Sequence, residues 1–119
     1  MKTNYVALAL FLILIQSVNA QKTDAEEMAA YQTKTMTAEL NLSEEQKPKV
    51  AAINTKYAEE SANLINADGS MFGKMGDMKA INKRKNAELE KVLNERQMEK
   101  YEDDLAPKMR KHMRKHMMG

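Results

Sequence analysis

Cysteine and tryptophan are absent from this sequence, and proline and glycine occur only two and four times. Without cysteine the chain has no disulfide bond, no thiol nucleophile and no thiolate ligand for a metal. No segment after residue 20 alternates between apolar and polar residues as a strand does, and the periodic segments are helical. These absences predict an all-α fold without a disulfide framework.

Aliphatic residues are also few. Residues 21–119 contain 11 Val, Ile or Leu residues, four aromatic residues and ten Met residues. A self-sufficient core of ordinary size is difficult to build from this set, because a small chain must bury a large share of its apolar surface to fold. We therefore expect either that two copies share one core or that part of the chain is loosely ordered.

The first twenty residues have the three parts of an export signal. Lys2 precedes an unbroken apolar run over residues 6–15, and a small-residue cleavage site ends at Ala20. The run is too short to span a membrane comfortably, since a spanning helix needs about 20 apolar residues. We expect cleavage after Ala20 and a mature protein that works outside the cytoplasm.

Charge is nearly balanced in the mature chain, with 18 basic and 17 acidic residues. This balance gives no electrostatic reason to expect nucleic-acid binding. No glycine-rich loop of the kind that holds phosphates occurs. Adjacent carboxylates such as Asp103 and Asp104 point in different directions on a helix, so they do not form an acid–base pair. We expect no enzymatic activity.

Capping boxes predict where the helices begin. Thr23 and Glu26 predict the start of a first helix, and Ser43 and Gln46 predict the start of a second, because each pair can satisfy unpaired N–H groups of a first turn. The apolar stripe expected on the first helix consists of Met28, Tyr31, Thr35, Ala38 and Leu42.

The second half of the chain has weaker boundaries. The glycine-rich segment 66–77 predicts a flexible connector, and the apolar spacing after it predicts a third helix over 78–93. Asn94 predicts the start of a short fourth helix that Pro107 interrupts, and a final basic helix is expected from about residue 108 to the end. The expected architecture is an elongated helical hairpin of about four helices, with a helical domain over 21–107 and a basic tail over 108–119.

One short motif occurs twice, in the form Leu, capping residue, two variable positions, Gln. Its two copies are Leu42, Ser43 and Gln46, and Leu93, Asn94 and Gln97. In a small, exported, helical chain the pair of motifs resembles the LTxxQ family of periplasmic proteins, which includes Spy and CpxP. Ser43 and Asn94 stand where the family pattern has Thr, and both residue types cap helices.

The resemblance implies a small periplasmic protein that pairs through long hairpins into a thin, curved, antiparallel homodimer. Spy-like members are ATP-independent chaperones that bind unfolded clients, and CpxP-like members regulate an envelope-stress sensor. Some relatives bind metals. The leading hypothesis is therefore a periplasmic chaperone without a required cofactor, and the alternatives are a regulator of an envelope-stress sensor kinase and a metal-binding or metal-sensing protein.

Four apolar residues are candidates for client binding: Met71, Phe72, Met75 and Met78. Met suits such a surface because its side chain is flexible and polarizable, so it adapts to many partners. The alternative is that these residues close the hairpin turn or form a dimer contact.

The basic tail contains the candidate metal ligands Met109, His112, Met113 and His116. Two His residues four positions apart can bind one metal on a helix, and thioether sulfurs favour Cu(I), whereas Zn(II) would use fewer Met ligands. The alternative is an amphipathic tail that contacts clients, anionic lipid or a partner helix.

Overall fold

The structure, a computed structural model, describes the backbone of residues 20–118 and the side chains of residues 24–115. Five helices and one π-helical turn follow in order: α1 Ala20–Leu40, α2 Gln46–Asn66, α3 Met71–Val92, α4 Glu95–Lys100, the π turn Tyr101–Leu105, and α5 Ala106–Met118. No strand occurs among residues 20–118, so the all-α prediction is confirmed there. The predicted export signal lies outside the described residues, except for the backbone of Ala20.

The helices form four antiparallel rods, because α4, the π turn and α5 continue one another without a break. α1 packs on α2, α2 packs on α3, and the last rod packs back on α1 through the π turn. The connections are short, so consecutive rods are neighbours in space.

Every helix contributes to one apolar core. Its buried members are Met36, Leu40, Leu42, Val50, Ile53, Tyr57, Ile81, Leu89, Leu93, Met98, Tyr101, Leu105 and Met109. Met and Tyr side chains supply much of the volume that the scarce aliphatic residues do not. A single chain can therefore bury these residues without sharing its core with a second copy.

The buried face of α1 differs from the predicted stripe. The structure buries Ala25, Ala29, Gln32, Met36 and Leu40, and it leaves Met28, Tyr31 and Thr35 partly exposed and Ala38 exposed. Small residues permit a close approach to α2, where Ala58 packs against Ala25 and Ala29. Because the true face contains alanine and glutamine, apolar spacing alone did not identify it. The helix also covers residues 20–23, so Thr23 does not cap it.

The connector between α2 and α3 is much shorter than predicted. α3 begins at Met71, so residues 71–77 are helical and only residues 67–70 join the two helices. The Ser70 hydroxyl accepts a hydrogen bond from the Gly73 N–H at 3.2 Å and caps the first turn. Gly69 has a φ of +135°, a conformation that favours glycine. The cap and the tight turn outweigh the low helix propensity of the two glycines in α3.

Pro107 does not interrupt the last rod, contrary to the prediction, and the basic helix expected from about residue 108 is confirmed within α5, Ala106–Met118. Proline lacks an N–H, and in a regular helix its ring clashes with the carbonyl four residues earlier. Here the backbone widens just before it, and the Ala106 N–H bonds to the Tyr101 carbonyl in a π-type turn. The wider turn accommodates the proline ring, and α5 continues beyond it.

Truncating the core should destabilise the chain strongly. Leu89 is fully buried, so Leu89→Ala should lower the free energy of unfolding by about 2–5 kcal/mol through lost apolar burial and a residual cavity. Urea unfolding followed by circular dichroism measures this change. The exposed neighbour Glu90 is the control, because Glu90→Ala should change the free energy by less than about 0.5 kcal/mol. Equal effects of the two variants would contradict the burial of Leu89 in the core.

Candidate functional site

The first copy of the repeated motif forms the turn between α1 and α2. Asn41 has a φ of 51°, and the Leu42 N–H donates to the Thr37 carbonyl at 3.3 Å, which ends α1 in a left-handed cap. The Ser43 N–H donates to Gln46 Oε1 at 3.0 Å, and the Gln46 N–H donates to Ser43 Oγ at 3.2 Å. The predicted capping box is present, and the regular helix begins at its Gln.

The second copy of the motif forms the turn between α3 and α4 with the same bonds. The Asn94 N–H donates to Gln97 Oε1 at 3.0 Å, and the Gln97 N–H donates to Asn94 Oδ1 at 2.8 Å. Leu42 and Leu93, which precede the two capping residues, are both buried in the core. Each motif therefore fixes a turn by a cap on one side and an apolar anchor on the other.

The two motifs meet through their glutamines. Gln46 Nε2 donates to Gln97 Oε1 at 2.8 Å, and Gln97 Nε2 donates to Gln46 Oε1 at 3.1 Å. Gln46 also donates to the Val92 carbonyl at 3.0 Å, and Gln97 donates to the Leu40 carbonyl at 3.2 Å. With the capping bonds included, each amide uses both N–H donors and accepts two bonds, which is its full capacity.

We call Gln46 and Gln97 the glutamine pair. Sequence reasoning identified both residues as caps and did not foresee that they bond one another, because their separation of 51 residues has no local signal. The repetition of the motif is the one sequence feature that links them. The adjoining depression, of about 490 Å³, is lined by amides, a hydroxyl and exposed Lys and Glu side chains. The pair therefore serves to hold helix ends together.

The candidate client-binding residues lie at the tip of the α2–α3 hairpin. Met71, Phe72 and Met75 are 76%, 88% and 60% exposed, and Ile65 at the end of α2 is 43% exposed. Met78 is half-buried one turn further along α3. We call Ile65, Met71, Phe72 and Met75 the apolar tip. Large exposed apolar side chains that cluster in this way are typical of an interaction surface.

Three candidate metal ligands of the tail, Met109, His112 and Met113, contact other parts of the chain. Met109 is buried in the core, and the His112 ring stacks on Tyr31 at 4.1 Å between ring centroids. Met113 Sδ accepts a hydrogen bond from Gln32 Nε2 at 3.5 Å. The His116 side chain lies outside the described residues. Within the part of the chain that the structure describes, no group of three or more His, Cys, Asp or Glu side chains is placed to hold a metal.

A lysine is buried between α1 and α3 beside the docked tail. Lys85 Nζ donates to Gln32 Oε1 at 3.2 Å, and the same glutamine amide bonds to Met113. Burial lowers the pKa of Lys85 to about 8, because an ammonium group loses hydration in the protein interior. Asn54 is also buried; its Nδ2 donates to Thr33 Oγ1 at 3.0 Å, and its Oδ1 has no hydrogen-bond partner in the described structure.

Charged groups join α2 to α3 on the surface. The Tyr57 hydroxyl donates to the Glu88 carboxylate, and Lys56 Nζ bonds to the same carboxylate at 3.1 Å. Arg84 pairs with Glu60 one turn further toward the tip. The bond from Tyr57 is the largest cause of a lowered pKa at Glu88 and a raised pKa at Tyr57. These contacts join the two helices in one register.

Fold and site together define a small helical protein in which two capped turns are joined by one amide pair. The chain belongs to the family described as Domain of unknown function (DUF4890), whose model matches residues 16–101. No curated protein and no solved structure matches the sequence. Among the described residues, no helix is both long and apolar enough to cross a membrane.

Removing either member of the glutamine pair should cost stability without changing the fold. Gln46→Ala leaves the Val92 carbonyl and the Gln97 amide without their partner, and we expect a loss of about 2–4 kcal/mol in the free energy of unfolding. Gln97→Ala should cause a similar loss. The double variant should lose less free energy of unfolding than the sum of the two single losses, because both single changes break the same bonds.

Urea unfolding of this double-mutant cycle measures the coupling, and the exposed neighbour Glu45 is the control. Glu45→Ala should leave the free energy of unfolding within about 0.5 kcal/mol of wild type. Strict additivity of Gln46→Ala and Gln97→Ala would show that the two amides do not act as a pair.

Stability should rise with pH above 8 because of Lys85. Its folded pKa of about 8 lies below its ordinary value of 10.5, so the unfolded chain binds more protons between these values. The free energy of unfolding should therefore increase across that window, by a total on the order of 3 kcal/mol. Lys85→Met should be more stable than wild type below pH 8 and lack the slope.

Urea unfolding between pH 7 and about 9.5 measures the slope below the range in which tyrosines ionise. Lys83→Met, at an exposed position of the same helix, should retain the wild-type slope. A slope that persists in Lys85→Met would assign it to another group.

Proposed function

We propose that this protein is an exported, periplasmic, ATP-independent chaperone that binds unfolded clients at the apolar tip, as Spy-like proteins do. The observation that carries the proposal is the exposure of Met71, Phe72 and Met75 in consecutive turns of a capped helix. Leaving such side chains in water is unfavourable, and a partner that covers them recovers about 25 cal/mol for each Å² of apolar surface.

The surroundings of the tip suit weak binding of many partners. Exposed charged residues follow it along α3, including Asp77, Lys79 and Lys83. A small apolar patch bordered by charge gives modest affinity and fast release, and flexible Met side chains repack against different sequences. Binding of this kind needs no nucleotide and no catalytic group.

The side chains of the apolar tip also contribute little to the packing of the core. Met71 and Phe72 touch water over most of their surface, so replacing them removes little packing. The Ser70 cap and the short 67–70 turn hold the helix start in place whatever side chains it presents. We further propose that the chain works as an antiparallel homodimer, which would carry two such tips on one particle.

The proposal is tested by suppression of client aggregation. The wild-type protein should lower light scattering from a chemically denatured client diluted into buffer. The variant Met71→Ser/Phe72→Ser/Met75→Ser should lose most of that suppression, because it lacks the apolar surface. Its free energy of unfolding should stay within about 0.5 kcal/mol of the wild-type value, since the replaced residues are exposed.

The matched control is Asp77→Ser/Ala80→Ser, which changes exposed residues of the same helix outside the apolar tip. This control should suppress aggregation as wild type does. No suppression by wild type at several-fold excess, or full suppression by the triple variant, would contradict the proposed function.

A further inference from the structure

Methionine is the principal target that this chain offers to an oxidant. The sequence contains 11 Met residues, no Cys and no Trp. Oxidants ordinarily attack a cysteine thiolate first, and in a chain without one the thioether sulfur of Met is the most readily oxidised group. Two-electron oxidation of that sulfur gives a sulfoxide, which is polar and can be reduced back to the thioether.

Burial separates the methionines that such an oxidant can reach from those that it cannot. Met36, Met98 and Met109 are 0%, 7% and 2% exposed and lie in the core. Met71 and Met75, at the apolar tip, have most of their side-chain surface in water. An oxidant reaches the core sulfurs only when the fold opens, whereas it reaches the tip sulfurs in the native state. Oxidation should therefore be selective for the tip.

The remaining methionines whose side chains the structure describes are half-buried. They are Met28, Met78 and Met113. The Met113 sulfur accepts a hydrogen bond from the Gln32 amide at 3.5 Å, which occupies one of its lone pairs. We expect these three residues to react more slowly than Met71 and Met75.

Met71 and Met75 lie on one face of α3, because residues four positions apart are neighbours on a helix. Oxidation of both places two polar S–O groups on that face. A client that covers the oxidised side chains must remove these groups from water, and an apolar client segment supplies no hydrogen-bond donor in return. Binding at the apolar tip should therefore weaken.

The start of α3 does not depend on the two sulfurs. The Ser70 hydroxyl caps the first turn, and Lys74 Nζ donates to the Ile65 carbonyl at 3.1 Å, which joins the beginning of α3 to the end of α2. Neither contact involves a methionine. The sulfoxides should therefore change the chemistry of the surface and leave the helix in place, so that their reduction restores the tip without refolding.

We propose that Met71 and Met75 form a reversible oxidation site through which hydrogen peroxide switches off client binding at the apolar tip. The sulfur lone pair attacks one peroxide oxygen, and an S–O bond forms as the O–O bond breaks. The proton on the transferred oxygen passes to the departing hydroxide, which leaves as water. Sulfur loses the two electrons that the peroxide gains.

The reverse reaction needs a thiol reductant, such as the two thiols used by a methionine sulfoxide reductase. They are oxidised to a disulfide, the sulfoxide is reduced to the thioether, and the oxygen leaves as water. The consequence for clients rests on the proposed chaperone function, whereas the oxidation site itself follows from the exposure of the two sulfurs.

Peptide mapping by mass spectrometry tests the site without a client. In the native protein treated with hydrogen peroxide, Met71 and Met75 should be oxidised at least about tenfold faster than Met36, Met98 and Met109, because the core sulfurs react only from opened states. In concentrated urea the difference should disappear, since every sulfur is then in water. Equal rates in the native protein would overturn the site.

Suppression of client aggregation tests the switch. Wild-type protein treated with peroxide and then with catalase should lose most of its suppression while its helical circular dichroism stays the same. Reduction with dithiothreitol and both methionine sulfoxide reductases, one for each epimer, should restore it. Full suppression by protein oxidised at Met71 and Met75, or no recovery after their reduction, would overturn the switch.

Two leucine variants assign the effect, each compared with its own untreated sample. Met71→Leu/Met75→Leu lacks the tip sulfurs, so peroxide should not lower its suppression. The matched control Met28→Leu/Met113→Leu keeps the tip sulfurs and should lose suppression as wild type does. Equal losses in the tip variant and wild type would overturn the proposed switch.

The assays separate failure of the switch from failure of the proposed function. An untreated wild-type protein that does not suppress aggregation would overturn the chaperone proposal and the switch together. Selective oxidation in the peptide map would then still support the site, because that measurement involves no client.

Discussion

The mutual bonding of Gln46 and Gln97 is the constraint on which the arrangement of the four rods depends. Each amide caps its own turn, bonds the other amide and reaches a backbone carbonyl beside the other turn. A turn of this length ordinarily allows several angles between the two helices that it joins. Because these two are tied to each other, the entry direction of α2 and that of α4 are set together, and the core below them closes around Leu42 and Leu93.

The interior beneath that junction is less apolar than is usual for a helical bundle. Lys85, Gln32 and Asn54 are all buried, and the side-chain Oδ1 of Asn54 has no hydrogen-bond partner within the described residues. Buried polar groups cost free energy even when they are bonded, and a buried ammonium costs most. Burial of the apolar core therefore has to offset the free-energy cost of these buried polar groups. Because aliphatic residues are few, the net stability that remains is small.

The sequence predicted the features that depend on residues close together in the chain. It did not predict the features that depend on contacts between helices. The caps at Ser43 and Asn94 were predicted because a capping box involves residues three positions apart. The start of α3 was missed because the prediction followed the glycines of segment 66–77 and did not consider Ser70 as a cap. The buried face of α1 was missed because Ala29 and Gln32 are buried for reasons that lie on other helices. Lys85 has no distinguishing feature in a run of basic residues, and the glutamine pair spans 51 residues.

The repeated bonding pattern has a consequence for how the molecule is constructed. The unit α1–turn–α2 and the unit α3–turn–α4 carry the same motif in their turns. The glutamine of each unit donates one hydrogen bond to the glutamine of the other and accepts one from it. The exchange has the reciprocity of two identical partners related by a two-fold axis. The symmetry is confined to the two turns, because α1 packs extensively on α2 whereas α3 makes few contacts with α4.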